Sequence, residues 1–329
     1  MSDDGEAWEF PKGVQPNPEA VGFDLDRTLS SVLSLRSEVP DDAFSAATLG
    51  SERAGNGVVI GADGLVLTIG YLITEAASVW LVSAWGAATP AHVVGYDQVT
   101  GFGLVQALGR LGVPVIELGS SEGARVGDQA IVASAGGRAH ALTARIVAKR
   151  EFAGYWEYLL DEAIFTAPPH PSWGGAALIG GDGALCGIGS LLVQEAAGPG
   201  APGQAQDGNM FVPIDLLPPI LDDLMRFGKV DRPPRPWLGL FATEAEGALV
   251  VAGLASGAPA ARADLRVGDV LLKVADAPVA DLAEMFRRIW SLGQAGTVIP
   301  LTISRDGTEF SVAVRSADRN AFLKSPGLH

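Results

Sequence analysis

The chain has 329 residues, of which 48% are hydrophobic and 19% charged, with 42 Gly and 21 Pro. That length calls for two or three domains, the apolar share excludes a chain disordered throughout, and the abundant turn residues suit short strands. A net charge of −15 excludes a binder of the phosphate backbone, which needs a basic face, and disfavours an anionic membrane surface.

The chain begins Met1-Ser2-Asp3-Asp4-Gly5-Glu6, with neither the basic n-region nor the apolar core of a signal peptide. No run approaches the ~18 apolar residues a membrane helix needs. The expected compartment is the cytoplasm, or the periplasm if a leader has been removed. Residues 1–20, with Pro11, Pro16 and Pro18, are expected to form a flexible arm. Leu25, Leu29, Val32 and Leu33 recur at helical spacing behind Asp24 and Asp26, which predicts a helix over 24–35. Two apolar, β-branched runs flank Asp63-Gly64 and predict a hairpin from Gly55 to Thr68, with the glycine supplying the turn's positive φ.

Leu142 to Ala148 predicts another strand. The cluster Glu151-Phe152-Ala153-Gly154-Tyr155-Trp156-Glu157-Tyr158 is either a packed lid or a partner-binding surface, and packing is the expectation. The single Cys186 excludes an intrachain disulfide and a Cys-rich metal site, and its apolar neighbours predict burial. Residues 194–209, rich in Gly, Ala, Pro and Gln, predict a mobile loop. A helix is expected from Asp215 to Phe227 with Leu216, Leu217, Ile220, Leu221, Leu224 and Met225 inward. Prolines punctuate residues 229–236 as a semi-rigid linker. Leu282, Met285, Phe286 and Ile289 share one face of a helix over 281–292, and Asp306-Gly307 turns a last hairpin.

No G-x-x-x-x-G-K-S/T and no H-E-x-x-H occurs. The pairs Asp161-Glu162 and Asp222-Asp223 suit solvated faces. Neither a metal site nor a cofactor is expected.

Several stretches carry a family resemblance. His170-Pro171-Ser172-Trp173-Gly174-Gly175-Ala176-Ala177-Leu178, followed by an Asp182-Gly183 turn and Gly187-Ile188-Gly189, resembles G-N-S-G-G-P-L with its following strands. Gly55-Asn56-Gly57-Val58-Val59-Ile60, with Asp63-Gly64-Leu65-Val66-Leu67-Thr68, resembles G-S-G-V-I-I-x-x-D-G-x-V-L-T. Gly95-Tyr96-Asp97 to Leu104-Val105, Val126-Gly127-Asp128 and Met210-Phe211-Val212-Pro213-Ile214 match further motifs in the same order. Trp237-Leu238-Gly239-Leu240 resembles Y-L-G-I, and Ser256-Gly257-Ala258-Pro259 to Leu265-Arg266-Val267-Gly268-Asp269-Val270-Leu271 resembles S-P-A-x-x-A-G-L-x-x-G-D-V-I, with Asp264 at the glycine. Together, over about 50–317, the chain resembles the trypsin-like serine proteases of the HtrA/DegP family with one C-terminal PDZ domain.

The resemblance implies a mainly β protein: a trypsin-like double six-stranded β-barrel followed by a PDZ domain, β-sandwich-like with helices. The expected division is an arm and helix over 1–50, a protease-fold domain over 51–228, the linker over 229–236, PDZ over 237–317 and a tail over 318–329. It also implies that the catalytic triad is degenerate. Serine proteolysis needs a nucleophile, a base and a group that orients the base. Trp173 stands at the serine, Tyr71 at the histidine and Gly101 at the aspartate. A phenol of ordinary pKa about 10 accepts a proton poorly at neutral pH. Pro171 removes an N–H near the oxyanion position, and the retained Asp97 is expected to act locally.

The fallback is Ser172 as nucleophile with His170, weighed against a turn on which both are solvated. What remains is binding. PDZ domains take an extended C-terminal peptide as an added strand, its carboxylate held by backbone N–H groups. The resemblance places that capture at Trp237, Leu238, Gly239 and Leu240, with Met285 and Ile289 as an apolar wall, unless a segment of the chain itself fills the groove. Family habit further implies a homo-oligomer, a trimer, and a role in protein quality control. The expected function is a peptide-binding, scaffolding or regulatory pseudoprotease on a hydrolase fold. The alternatives are an active endopeptidase with a non-standard site and a chaperone-like holdase.

Overall fold

The computed structural model describes residues 8–198, 206–245 and 247–324. The first seven residues of the expected arm, part of the expected loop over 194–209 and the last five residues of the tail lie outside them. The chain divides into two units. One comprises residues 1–150, 162–230 and 324–329, and the other residues 151–161 and 231–323.

The first unit holds a closed six-stranded antiparallel barrel. Its strands are β1 (Val32–Glu38), β2 (Glu52–Val59), β3 (Leu65–Ile69), β4 (Ser78–Val82), β5 (Ala88–Tyr96) and β6 (Phe102–Ala107), in the order β1-β2-β3-β6-β5-β4. Closure removes the exposed edges an open sheet would present. Val66, Leu67, Leu81, Phe102 and Leu104 on its strands are fully buried. The expected helix over 24–35 is a correction. Only α1 (Leu25–Leu29) is helical, capped by the Asp24 side chain on the Arg27 N–H. Its spacing holds for one turn, Ser30 and Ser31 end it, and Val32 onward becomes β1. That strand pairs with β2 on one side and β4 on the other, so tertiary hydrogen bonds on both edges override a short helical pattern. The barrel domain therefore begins before residue 51.

A second closed barrel follows: β7 (Gln129–Ala133), β8 (Ala141–Gly154), β9 (Tyr158–Ala167), β10 (Ala177–Ile179), β11 (Leu185–Val193) and β12 (Gly208–Pro213), ordered β10-β11-β12-β9-β8-β7. The distal ends of β8 and β9 group with the second unit. Cys186 is buried, and burial pushes its thiol up to about 11, so it is an inert core thiol. The segment from Trp8 is not a free arm. The Phe10 N–H donates to the Ala139 carbonyl (2.9 Å) and the Thr143 N–H to the Val14 carbonyl (3.0 Å), which lays the segment along the second barrel. Besides α2 (Ala46–Leu49), the helix α3 (Pro218–Phe227) ends on Gly228 in the left-handed conformation. Ile220 and Leu224 are buried, whereas Met225, expected inward, is exposed.

The second unit is a sheet ordered β13-β14-β15-β17-β18, built from β13 (Leu240–Ala245), β14 (Ala248–Leu254), β15 (Val270–Val274), β17 (Val298–Arg305) and β18 (Thr308–Arg315), with β16 (Ala277–Pro278) beside β15. The helices are α4 (Pro259–Arg262) and α5 (Leu282–Ser291), the latter capped by Asp281 on the Glu284 N–H. Leu271, Phe286, Ile299 and Ile303 centre its core. Buried Asp269 is held by a bidentate Arg305 (2.6 and 2.8 Å), which keeps its carboxyl below the usual carboxylate range. Asp264 has φ 59, the left-handed backbone that lets an aspartate replace the family's glycine.

Candidate functional site

The two barrels bring the segments around Tyr71, Gly101 and Trp173 to one place. The Gly70 N–H donates to the Gly101 carbonyl at 2.7 Å. A Cβ built on Gly174 would lie 2.8 Å from the Tyr71 hydroxyl, so Tyr71 reaches the segment that carries Trp173. Tyr71 donates its O–H to the Ser190 carbonyl of β11 at 3.0 Å, and Arg53 holds the Tyr71 carbonyl at 2.8 Å. Burial pushes the phenol above its ordinary pKa, with the Trp173 side chain offsetting part of that rise. A group so held is a neutral donor to the opposite barrel. Gly101 (φ 86) carries no side chain, and its N–H donates to the Asp97 carbonyl (2.8 Å). The Asp97 carboxylate accepts the Thr100 N–H at 2.9 Å, a turn-stabilising role as expected.

The fallback pair is arranged for structure. His170 is fully buried, which corrects the expectation of a solvated side chain. Its Nδ1 accepts the Ser172 backbone N–H (3.0 Å) and its Nε2 faces the His140 carbonyl (2.9 Å), so Nε2 carries the proton. The Asn209 side chain brackets its backbone, accepting the His170 N–H at 2.6 Å. Trp8 and Phe10 pack edge-on to the ring at 5.5 and 5.0 Å. The Ser172 hydroxyl lies 3.3 Å from the Asn56 amide nitrogen. The imidazole lone pair is therefore committed to a backbone N–H.

Burial lowers the His170 pKa to about 4, from about 6.5 when free. The unfolded chain protonates first, so the stability held above pH 6.5 is lost as pH falls toward 4, by about 2–3 kcal/mol. Urea denaturation from pH 7 to pH 4 is expected to show that loss, and His170→Asn to be weaker at pH 7 but to lack this part of the acid sensitivity.

Asn56 was missed by the sequence reading. It is buried, and its amide nitrogen donates to the Ser172 carbonyl (3.0 Å) and the Gly174 carbonyl (3.0 Å), while its oxygen accepts the Ala135 N–H (2.9 Å). Its backbone N–H also donates to the Gly174 carbonyl at 2.8 Å. An amide between two glycines in an apolar strand was the available signal.

In the second unit, the N–H groups of Leu238, Gly239 and Leu240 converge on one point. They converge on a carboxylate already present. Glu157 accepts from Gly239 at 2.7 Å, from Leu240 at 3.1 Å and from Leu238 at 3.1 and 3.2 Å. Gly239 is required there, since its φ is 69 and a Cβ would lie 2.3 Å from Ala258 Cβ. Trp237 is buried against Phe322, with ring centroids 4.9 Å apart. Met285 and Ile289 were expected as an open apolar wall. Both are instead wholly buried, in a cluster that also contains Leu159. In the aromatic cluster Trp156 stacks on buried Tyr158 at an interplanar angle of 14°, whereas Tyr155 stays half exposed. An acid set between Trp156 and Tyr158 was the signal for Glu157. Among the described residues, no group of three or more His, Cys, Asp or Glu side chains could hold a metal ion.

A trypsin-like peptidase domain matches residues 55–188 and a PDZ domain matches residues 236–315. The chain is 26% identical over 275 residues to a probable periplasmic serine endoprotease DegP-like of Pseudomonas fluorescens, covering 80% of this chain and 56% of that protein. It is 26% identical over 290 residues to the putative serine protease HhoA of Synechocystis, covering 80% of this chain and 70% of that one. The chain spans about half the length of the Pseudomonas relatives it matches. Among solved structures, the HtrA-type protease AlgW with tripeptide aligns with TM-score 0.51 at 21% identity, over 92% of this chain and 97% of that one. The serine endoprotease from Yersinia pestis aligns with TM-score 0.51 at 22% identity, over 91% and 99%. The fold is thus that of a trypsin-like peptidase domain followed by one PDZ domain. In sequence the chain is similar to proteins named as DegP-like serine endoproteases and as the serine protease HhoA. No helix among the described residues is long and apolar enough to cross a membrane.

Proposed function

We propose that this chain is a proteolytically inactive HtrA-type protein that binds peptide C-termini through its PDZ domain and serves as a scaffold or regulator. The observation that carries this reading is the content of the triad positions. Trp173 offers an indole with no nucleophilic oxygen or sulfur, Tyr71 a phenol that burial keeps protonated, and Gly101 no side chain. A nucleophile needs a base to take its proton. The active-site alternative at Ser172 lacks one, because the His170 Nδ1 is engaged by a backbone N–H. Pro171 has no N–H and the Ser172 N–H is engaged, so neither is available to an oxyanion. The N–H groups at Leu238, Gly239 and Leu240 support carboxylate capture, the means by which PDZ domains hold a peptide end. Family likeness favours a homo-trimer, and the relatives' names favour the periplasm over the cytoplasm.

Purified protein is expected to leave fluorogenic casein intact, as are Ser172→Ala and Trp173→Ser. Serine at position 173 alone adds a nucleophile but neither base nor orienting acid. Robust cleavage by Trp173→Ser would overturn the reading, and wild-type turnover lost in Ser172→Ala would move the nucleophile to Ser172. Suppression of aggregation of a denatured client, followed by light scattering, would favour a holdase.

A further inference from the structure

The carboxylate seat of the second unit has an occupant supplied by the chain. Residues 151–161 form the tip of the β8–β9 hairpin and belong to this unit. Glu157 directs its carboxylate onto three consecutive N–H groups that immediately precede and begin β13. That is the constellation a terminal carboxylate would use. Among the described residues, β13 pairs only with β14, so its other edge remains a template for an added strand. The helix α5 packs against β13. Arg287 of α5 forms ion pairs with Glu151 and with Asp161 (2.7 Å), the two ends of the tip. Tyr155 meets Phe241 of β13 edge-on, and Leu159 enters the core cluster with Met285 and Ile289. The tip is thus fastened to β13, to the loop that leads into it, to α5 and to the core.

Two features set Glu157 apart from an ordinary turn residue. Its φ is 61, a left-handed conformation that costs a residue with a Cβ, so the turn holds strain where glycine or asparagine would relieve it. It is also a buried carboxyl. Burial pushes it up to about 7, against the pull of the three N–H donors and of Arg319. The contact is specific in geometry and costly in desolvation, so a mobile carboxylate can replace it.

We propose that Glu157 is a built-in competitor for the carboxylate-binding loop, and that a peptide with a free C-terminus binds the second unit only by displacing the hairpin tip. This rests on the reading of Leu238-Gly239-Leu240 as a peptide seat. The open fraction then sets the affinity, because an equilibrium that hides the seat weakens the apparent Kd by that fraction.

The test uses the full chain and a pool of fluorescent decapeptides with randomised last four residues, in free-acid and C-terminally amidated forms. Binding is read by fluorescence anisotropy for wild type, Glu157→Ala and Glu157→Gln. Amide hydrogen exchange at Leu238, Gly239 and Leu240 reports whether the loop is intact and uncovered. Expected is a gain of at least about tenfold in affinity for the free-acid pool in Glu157→Ala, a smaller gain in Glu157→Gln, no binding of the amidated pool, and faster exchange at the three amides with the rest of the sheet still protected. Equal affinity in all three proteins would overturn the competitor while leaving peptide capture standing. Absence of binding in all three, with the sheet protected, would overturn peptide capture at this loop and the competitor with it.

Discussion

Gly175→Ala is expected to destabilise the first unit by about 3–5 kcal/mol, seen as a fall in Tm of roughly 8–15 °C. Gly175 has φ 73, and a Cβ there would lie 2.0 Å from the Asn56 carbonyl oxygen and 2.8 Å from Thr68 Oγ1. The oxygen cannot retreat. It accepts the Thr68 hydroxyl at 2.6 Å, and the Asn56 N–H is bonded to the Gly174 carbonyl at 2.8 Å. The left-handed conformation alone costs an alanine about 1 kcal/mol, and forced separation of packed backbone adds the remainder. Gly181→Ala is the control, since nothing lies within 4 Å of its Cβ position. A change there of less than about 0.5 kcal/mol is expected. Differential scanning calorimetry of both variants decides the matter, and a Gly175→Ala protein within 2 °C of wild type (about 1 kcal/mol) would show that this packing is wrong.

Asn56→Ala is expected to cost about 3–4 kcal/mol. The side chain bonds the Ser172 and Gly174 carbonyls and the Ala135 N–H, joining β2 of the first barrel to two segments of the second. Each neutral hydrogen bond contributes about 1 kcal/mol net, and leaving a buried group without its partner adds about 1–3 kcal/mol. Asn56→Asp discriminates this network from simple volume loss. Its size is conserved, but a carboxylate would face two carbonyl oxygens, so it is expected to be at least as destabilising as alanine. Urea denaturation of the three proteins measures the difference, and an aspartate variant as stable as wild type would remove Asn56 from its bridging role.

Both residues show where sequence reasoning stops. The hairpin at Asp63-Gly64 was legible because the turn residues and the apolar, β-branched runs that flank them are close neighbours in the chain. The PDZ signature over 256–271 was legible for the same reason. The helix over 24–35 was misread because Leu25, Leu29, Val32 and Leu33 fit a helical face by coincidence. The strand that Val32 starts is stabilised by partners 14 to 26 residues away on one edge, Glu52 to Val58, and by the 78–82 strand 40 to 48 residues away on the other. Tyr71, Gly101 and Trp173 were legible only through the motifs they interrupt, and the structure adds that Tyr71 is tied to Ser190. His170 was visible as a residue near Ser172, but its commitment to the Ser172 N–H and the His140 carbonyl depends on how a proline-containing turn folds.

The sequence by itself determined the residue types on which the proposed inactivity rests: an indole, a phenol and a glycine at the positions matched to a hydroxyl, an imidazole and a carboxylate. It also determined the order of the two domains, because local turn and strand motifs carry that information. Only the tertiary structure decided what the polar side chains do. Asn56 and Ser172 are separated by 116 residues, and Glu157 and Leu238 by 81. No periodicity or motif spans such separations. A buried amide or carboxylate takes its meaning from the N–H and C=O groups that folding brings to it, and those partners exist only once the strands have closed.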